Sequence, residues 1–184
     1  MLPLLIMIIL VTVPIVLWTI FMQRKLVVLD EHINNAMTQI GVQLSSRFDA
    51  LLALLNLIKD YSRHESEMLI EMINSTRNLI TAKSTLEDVL HQEEIISKAL
   101  GEITMVTKQY PELKTNQTYI KTMDALQTFE NMVRTSLMIY NNSVTKLNRE
   151  IRMFPVCMIA VILGFRQRDY LDKHTAGEAR SSMR

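Results

Sequence analysis

Asp88 and His91 come nearest, among the residues of this sequence, to the spacing of a metal site. Three positions apart on a helix, they would share one face, like the carboxylate and histidine of di-iron bundle proteins. That chemistry needs a second such pair and two further inward carboxylates. The sequence offers no second Glu-x-x-His or Asp-x-x-His. A metal- or ligand-binding sensor or enzyme that uses Asp88 and His91 is therefore kept only as the alternative function.

The other patterns that support catalysis are incomplete. The run from His64 to Met68 begins like a zinc-protease helix but lacks the second histidine at the required spacing. Four glycines in the whole chain cannot build a phosphate-binding loop. Cys157 is the single cysteine, so it forms no internal disulfide, and its apolar surroundings favour a small buried hydrophobe. Our leading prediction is a protein that is not an enzyme, with no catalytic, cofactor-binding or metal-binding residue.

The amino-terminal segment predicts a membrane anchor over residues 1–23. Residues 2–22 carry no charged side chain and no histidine, and as a helix they reach about 31 Å, enough for a bilayer core of about 30 Å. A cleaved signal peptide is disfavoured, because no basic residue precedes the apolar run and its end is bulky. Arg24 and Lys25 follow the segment. The positive-inside rule then predicts a single-pass protein with its amino terminus outside and its remainder in the cytoplasm.

Apolar residues in the rest of the chain recur at helical spacing. The strictest series, with alternating steps of four and three, is a coiled-coil-like seam: Val133, Leu137, Tyr140, Val144, Leu147, Ile151 and Phe154. Two shorter series lie nearer the anchor: Ile33, Met37, Ile40 and Leu44, then Phe48, Leu51, Leu55 and Ile58. Two steps of four in succession around Leu44 form a phase slip. Since polar residues cluster there, we expect a break between two helices near residues 45–49.

Three later boundaries complete an all-α prediction. Ser84 and Glu87 have capping-box spacing at the start of a third helix. Pro111 predicts a loop, because it disfavours helix at the preceding residue, and Asn116 caps a fourth helix. The predicted fold is an N-terminal transmembrane helix followed by an up-and-down four-helix bundle over residues 24–153.

The carboxy-terminal part of the chain divides into a short apolar segment and a polar tail. Residues 154–165 reach about 18 Å as a helix, too short to span a membrane, and arginines flank them. They either lie at the membrane interface beside the anchor or pack as core on the end of the bundle. Residues 166–184 are predicted to be a frayed polar tail. Asn141 and Asn148 lie beside the seam, where their amides either form hydrogen bonds that fix helix register or point to solvent.

An ordered set of short motifs extends from Asn35 to Tyr170. Its members are Asn35-Ala36, Gln39-Ile40, Val42-Gln43-Leu44, Arg47-Phe48-Asp49, residues 59–65, residues 110–114, Glu130-Asn131, Tyr140-Asn141, Val144, Asn148, Phe154-Pro155, Ala160 and Gly164-Phe165. The set resembles the LemA family of bacterial membrane-anchored proteins. This resemblance implies a four-helix bundle that one amino-terminal anchor tethers to the bacterial inner membrane, with the amino terminus outside. It implies little about biochemistry: one relative takes part in building magnetosome membranes, and members often neighbour membrane metallopeptidases in genomes.

The chain departs from the family pattern at four positions. Met37, Gly41 and Leu52 stand where the family usually has Trp, Asp and Pro, and Leu137 replaces an Arg. Loss of that proline weakens the case for a sharp break near residue 49. Replacement of the arginine indicates that an ion pair or hydrogen bond of the family is missing here.

These observations predict a membrane-tethered scaffold or adaptor at the cytoplasmic face of the membrane. Its expected contacts are membrane lipid and an unidentified protein partner, with another membrane protein as one candidate. Self-assembly into a homo-oligomer through the seam of the fourth helix is a further expectation. The charge is balanced, with 20 Lys and Arg against 19 Asp and Glu, so we expect no nucleic-acid binding.

Overall fold

The computed structural model describes residues 2–171, and in that range the chain forms five α-helices, one short 3-10 helix and no strand. The α-helices are α1 (Leu2–Ile58), α2 (Arg63–Thr76), α3 (Leu86–Gln109), α4 (Gln117–Arg152) and α5 (Val156–Ile162). The 3-10 helix, Pro111–Thr115, joins α3 to α4. The predicted all-helical class and the long apolar amino-terminal helix are confirmed.

The chain divides into two compact units. Unit 1 comprises Met1–Asn34 and Tyr140–Arg184, and unit 2 comprises Asn35–Ile139. Helices α1 and α4 are long enough to contribute one segment to each unit. Residues 172–184, most of the predicted polar tail, lie outside the described residues.

Helix α1 runs without interruption for 57 residues, so the predicted break near residues 45–49 is wrong. The apolar series from Ile33 to Ile58 is buried at every position. It advances 25 residues in seven steps, about 3.6 residues per turn, which is the pitch of a straight helix. The phase slip therefore keeps these apolar residues on one side of a straight helix. An unbroken heptad repeat, at about 3.5 residues per turn, would stay on one side only if the helix were supercoiled.

The predicted seam of α4 is confirmed at five of its seven positions. Val133, Tyr140, Val144, Leu147 and Ile151 are buried. Leu137 is only half-buried, because Ser136 takes the inward position instead. Phe154 is exposed, since α4 ends at Arg152.

The three later boundaries, at the start of α3, at Pro111 and at the start of α4, agree with the structure to within about one residue. Thr85, rather than Ser84, caps α3, in a capping box with Asp88. Asn116 caps α4, where its Oδ1 accepts hydrogen bonds from the N–H groups of Thr118 (2.8 Å) and Tyr119 (3.3 Å). Pro111 begins the 3-10 helix that takes the place of the predicted loop.

Candidate functional site

Asp88 and His91 lie on the exposed first turns of α3. Asp88 Oδ2 accepts hydrogen bonds from Thr85 N (2.7 Å) and Thr85 Oγ1 (3.0 Å). The backbone hydrogen bond from Thr85 is the main reason that the pKa of Asp88 is lowered. Within residues 2–171, no group of three or more His, Cys, Asp or Glu side chains is placed to hold a metal ion. The Asp88 carboxylate therefore serves as a helix cap.

The run from His64 to Met68, which begins like a zinc-protease helix, lies in the first two turns of α2. His64 is exposed, and Glu67 forms ion pairs with Arg63 (3.0 Å) and Lys59 (3.1 Å). The hydrogen bond from Arg63 is the largest cause that lowers the pKa of Glu67. Cys157 is half-buried in α5 as a free thiol. Among the side chains that the structure describes at these two places, no pair is arranged for nucleophilic or acid–base catalysis.

A buried arginine connects three helices of unit 2. Arg47 of α1 is 5% exposed; its Nη1 lies 2.6 Å from Glu93 Oε2 on α3 and its Nη2 3.0 Å from Glu130 Oε2 on α4. We call these three residues the Arg47 cluster. Arg47 Nε and Glu93 Oε1 are buried without a hydrogen-bond partner. The sequence contained one signal for it: Arg47 lies three residues after Leu44, in register with the buried apolar face.

The chain between α2 and α3 lies over a glycine of α1. A Cβ atom placed on Gly41 would overlap the carbonyl oxygen of Ile80. Arg77 holds the start of this connection, because its guanidinium pairs with Asp49 Oδ1 (2.7 Å) and bonds to Ser45 Oγ. Gln92, also buried, fixes it from α3 by accepting from Asn78 N (3.0 Å).

A groove of about 440 Å³ opens beside this connection, within the size range of small-molecule sites. Its lining is small or apolar: Thr38, Gly41, Val42, Ser45, Ser46, Leu79, Ile80, Thr81 and Ala82. No titratable side chain lines it. The groove offers surface for an apolar group, and its hydroxyl groups have no titratable neighbour in the lining that could serve as a base.

In unit 1, the segment of residues 166–171, which we call the C-terminal segment, is fixed against α4. The Asn148 amide donates to Arg168 O (2.8 Å) and accepts from Arg168 N (2.9 Å). Asn141 Oδ1 accepts from the N–H of Leu171 (2.9 Å), whose side chain is buried. The prediction of a frayed tail is wrong for residues 166–171. Of the two alternatives for Asn141 and Asn148, hydrogen bonding is confirmed, and the partner of both amides is the C-terminal segment.

Two further contacts support the same segment. The Arg168 guanidinium pairs with Asp30 of α1, at 2.9 Å between Nη2 and Oδ1. Tyr140 donates from its hydroxyl to Asp169 O (3.3 Å), and burial is the largest cause that raises the pKa of Tyr140. The C-terminal segment therefore bridges α4 and α1 within unit 1.

The comparisons with known proteins agree with this helical architecture. The model of the LemA family matches residues 36–183. The chain belongs to the LemA family. The predicted resemblance is thereby confirmed, and the matched range extends from α1 to beyond α5.

Two magnetosome proteins of Paramagnetospirillum magneticum (strain ATCC 700264 / AMB-1) are similar to part of this LemA-family chain. MamQ 1 and MamQ 2 are each 32% identical to it over 80 residues. The match covers 44% of this chain and 29% of each MamQ protein, well under two thirds of those relatives. Together with the exposed apolar part of α1, these findings describe a membrane-associated helical protein.

The structure gives physical reasons for two departures from the LemA pattern. Gly41, in place of the family Asp, lies where the backbone of Ile80 leaves no room for a side chain. Leu52, in place of Pro, lies within the unbroken α1 and retains the backbone N–H that a proline would lack. Arg47 and Glu130, which carry part of the resemblance, form an ion pair.

Proposed function

We propose that this LemA-family protein is a non-enzymatic, membrane-tethered scaffold or adaptor at the cytoplasmic face of the bacterial inner membrane. One observation carries the proposal: α1 passes without a linker from an exposed apolar segment into a buried helical face. Only 11% of the most apolar 18-residue stretch of α1 is buried. Leu10 and Phe21, for example, are 71% and 66% exposed, whereas the core helix of a water-soluble protein would cover such side chains.

We further propose that α1 to α4 form an up-and-down four-helix bundle. In unit 1, Lys25 of α1 pairs with Glu150 near the end of α4 (2.8 Å). Asp30, further along α1, pairs with Arg168, whose backbone bonds to the earlier Asn148 of α4. These contacts support antiparallel α1 and α4 segments. In unit 2, the Arg47 cluster joins α1, α3 and α4.

The surface of this protein supports binding more than chemistry. Several methionines are exposed, among them Met68, Met132 and Met138. Exposed methionines suit adaptable contacts with a protein partner. Two similar proteins are named magnetosome proteins, and we propose that the partner is another membrane protein.

In-cell photo-crosslinking tests the scaffold proposal. A photoreactive amino acid at Met138, which is 58% exposed, should capture a specific protein. The same amino acid at Val133, buried on the same helix, is the matched control and should capture none. Equal capture at both positions, or capture of no specific protein at Met132 and Met138, would contradict the proposal.

Two measurements test the alternatives. Metal analysis of the purified full chain should find no stoichiometric metal; iron, manganese or zinc that is lost in His91→Ala would favour the sensor or enzyme. Analytical ultracentrifugation in detergent tests for a homo-oligomer. Because the chain itself covers Val144 and Leu147, we propose that any self-association uses another face than the α4 seam.

A further inference from the structure

Helix α5 has two apolar faces, of which the protein covers one. Val156 and Ala160 are buried. Phe154, Val161 and Ile162 are 80%, 78% and 81% exposed. Large apolar side chains grouped at such exposure indicate a contact surface. We call the exposed group, with its neighbour Met158, the α5 face.

Contacts within unit 1 fix the level of α5 along α1. The Lys25–Glu150 ion pair places the last turn of α4 directly after the uncharged part of α1, and α5 begins six residues later. The Arg168–Asp30 pair returns the chain to α1 only five residues beyond Lys25. Both ends of the α5 region are therefore held beside the part of α1 where the proposed span leaves the bilayer.

The exposure of α1 is consistent with this level. Between residues 9 and 22 every side chain is exposed except Thr19 and Met22, which are half-covered. Trp18 directly precedes this covered part, and tryptophan is typical of the membrane–water interface. The first partly covered residues of α1 therefore lie at the expected depth of the membrane–water interface.

The charge around the α5 face matches an anionic membrane surface. Residues 151–168 contain no Asp or Glu. Arg149, Arg152 and Arg166 flank the face and are exposed at the protein surface. Basic residues beside an apolar surface are the composition of segments that lie in the interface of anionic bilayers.

We infer that the α5 face inserts into the interface of the anionic bilayer beside the α1 span and forms a second lipid contact. This inference rests on the proposed anchor. With seven residues, about 10 Å, α5 is too short to cross the membrane. It lies in the plane of the interface and prevents the helical units from pivoting freely about a single span.

Spin labels on the full-length protein in anionic nanodiscs test this inference. In a Cys157→Ser background, a label at Ile162→Cys should collide several-fold more often with oxygen, relative to a water-soluble nickel chelate, than a label at Asn142→Cys. Asn142 is an exposed residue of α4 in the same unit, about 15 Å before the end of that helix. A label at Leu10→Cys in α1 reports the anchor independently.

The outcomes separate the two proposals. If Leu10 reports lipid and Ile162 reports the same aqueous environment as Asn142, the anchor stands and the α5 contact is overturned. If Leu10 also reports water, both proposals fail. A second copy of the chain on the α5 face would instead protect Ile162 from both reagents and bring two labels into dipolar range, which also overturns the lipid contact.

Discussion

Arg47 shows how one charged residue on an apolar helix face can connect three helices. Its side chain is 6% exposed, whereas the side chains of Glu93 and Glu130 are 31% and 28% exposed. The carboxylates thus retain part of their hydration while they neutralise the buried cation. Removal of the arginine takes the paired cation from Glu93 and leaves Glu130 with the exposed Arg134 as its partner, so its cost exceeds the energy of a single pair.

Substitution Arg47→Met should destabilise the protein by about 3 kcal/mol, the lower end of the range for breaking a buried ion pair, since both carboxylates are partly hydrated. Arg134→Met is the matched control. Arg134 pairs with the same Glu130 (2.8 Å) but is 74% exposed, so its loss should cost less than about 0.5 kcal/mol. Denaturant unfolding of the full chain in detergent, followed by circular dichroism, measures both. An equal loss of unfolding free energy in the two variants would contradict the proposal that the Arg47 cluster stabilises the protein more than the exposed Arg134 pair.

Gly41 and Gly101 are both helical glycines, and the structure predicts opposite effects for the same substitution. Gly41→Ala should destabilise by about 1–3 kcal/mol, because the new methyl group overlaps the backbone of Ile80 and the connection must move. Gly101→Ala has open space and should stabilise by about 0.5–1 kcal/mol through helix propensity. The same unfolding measurement compares them. Stabilisation by both substitutions would show that the chain between α2 and α3 does not lie on α1 at Gly41.

At the scale of elements, apolar spacing predicted the buried face of α1 and most of the buried face of α4, but not where α1 ends. The residues that indicated a break are accommodated inside the helix. Ser46 Oγ donates to the carbonyl of Val42 (3.1 Å), a bond that a helix interior permits, and Asp49 pairs with Arg77. Without a proline at the slip, nothing removes a helical hydrogen bond there.

Long-range pairing could not be predicted from the sequence for a different reason. The partners of Arg47 lie 46 and 83 residues away, and Asn148 bonds a backbone 20 residues further on. Periodicity describes one helix at a time, whereas these contacts depend on how several elements pack together. The polar residues in register with an apolar face, Arg47 and Gln92, were the one available signal.

The C-terminal segment yields a prediction at this scale. Asn148→Ala removes both the donor to Arg168 O and the acceptor of the Arg168 N–H. A hydrogen bond contributes about 1 kcal/mol, so loss of the two should speed hydrogen exchange at the Arg168 amide by about tenfold or more. Asn142→Ala, an exposed change of the same type, should leave that exchange rate unchanged. If the Arg168 amide exchanges at the original rate in both variants, the hydrogen bonds of Asn148 do not hold the C-terminal segment.

At the scale of the whole molecule, α1 joins the proposed membrane span to a buried helical face without a flexible linker. The orientation of the proposed span therefore sets the orientation of the α1 residues that follow it. Packing on α1 begins at Lys25 and Leu26: Lys25 forms an ion pair with α4 and Leu26 is fully buried. In the proposed topology, unit 1 residues of α4 lie on the same side of the membrane as Arg24 and Lys25.

We expect the amino terminus outside the cell and the remainder in the cytoplasm, because Arg24 and Lys25 flank only the carboxyl side of the span. In a Cys157→Ser background, a cysteine inserted directly after Met1 should react with a membrane-impermeant maleimide in intact cells. Lys146→Cys, at an exposed position of α4, should react only after the membrane is permeabilised. The reverse pattern would refute the orientation, and labelling of both positions in intact cells would place unit 1 outside. Because α1 is unbroken, one labelled position in α4 reports the side on which its unit lies.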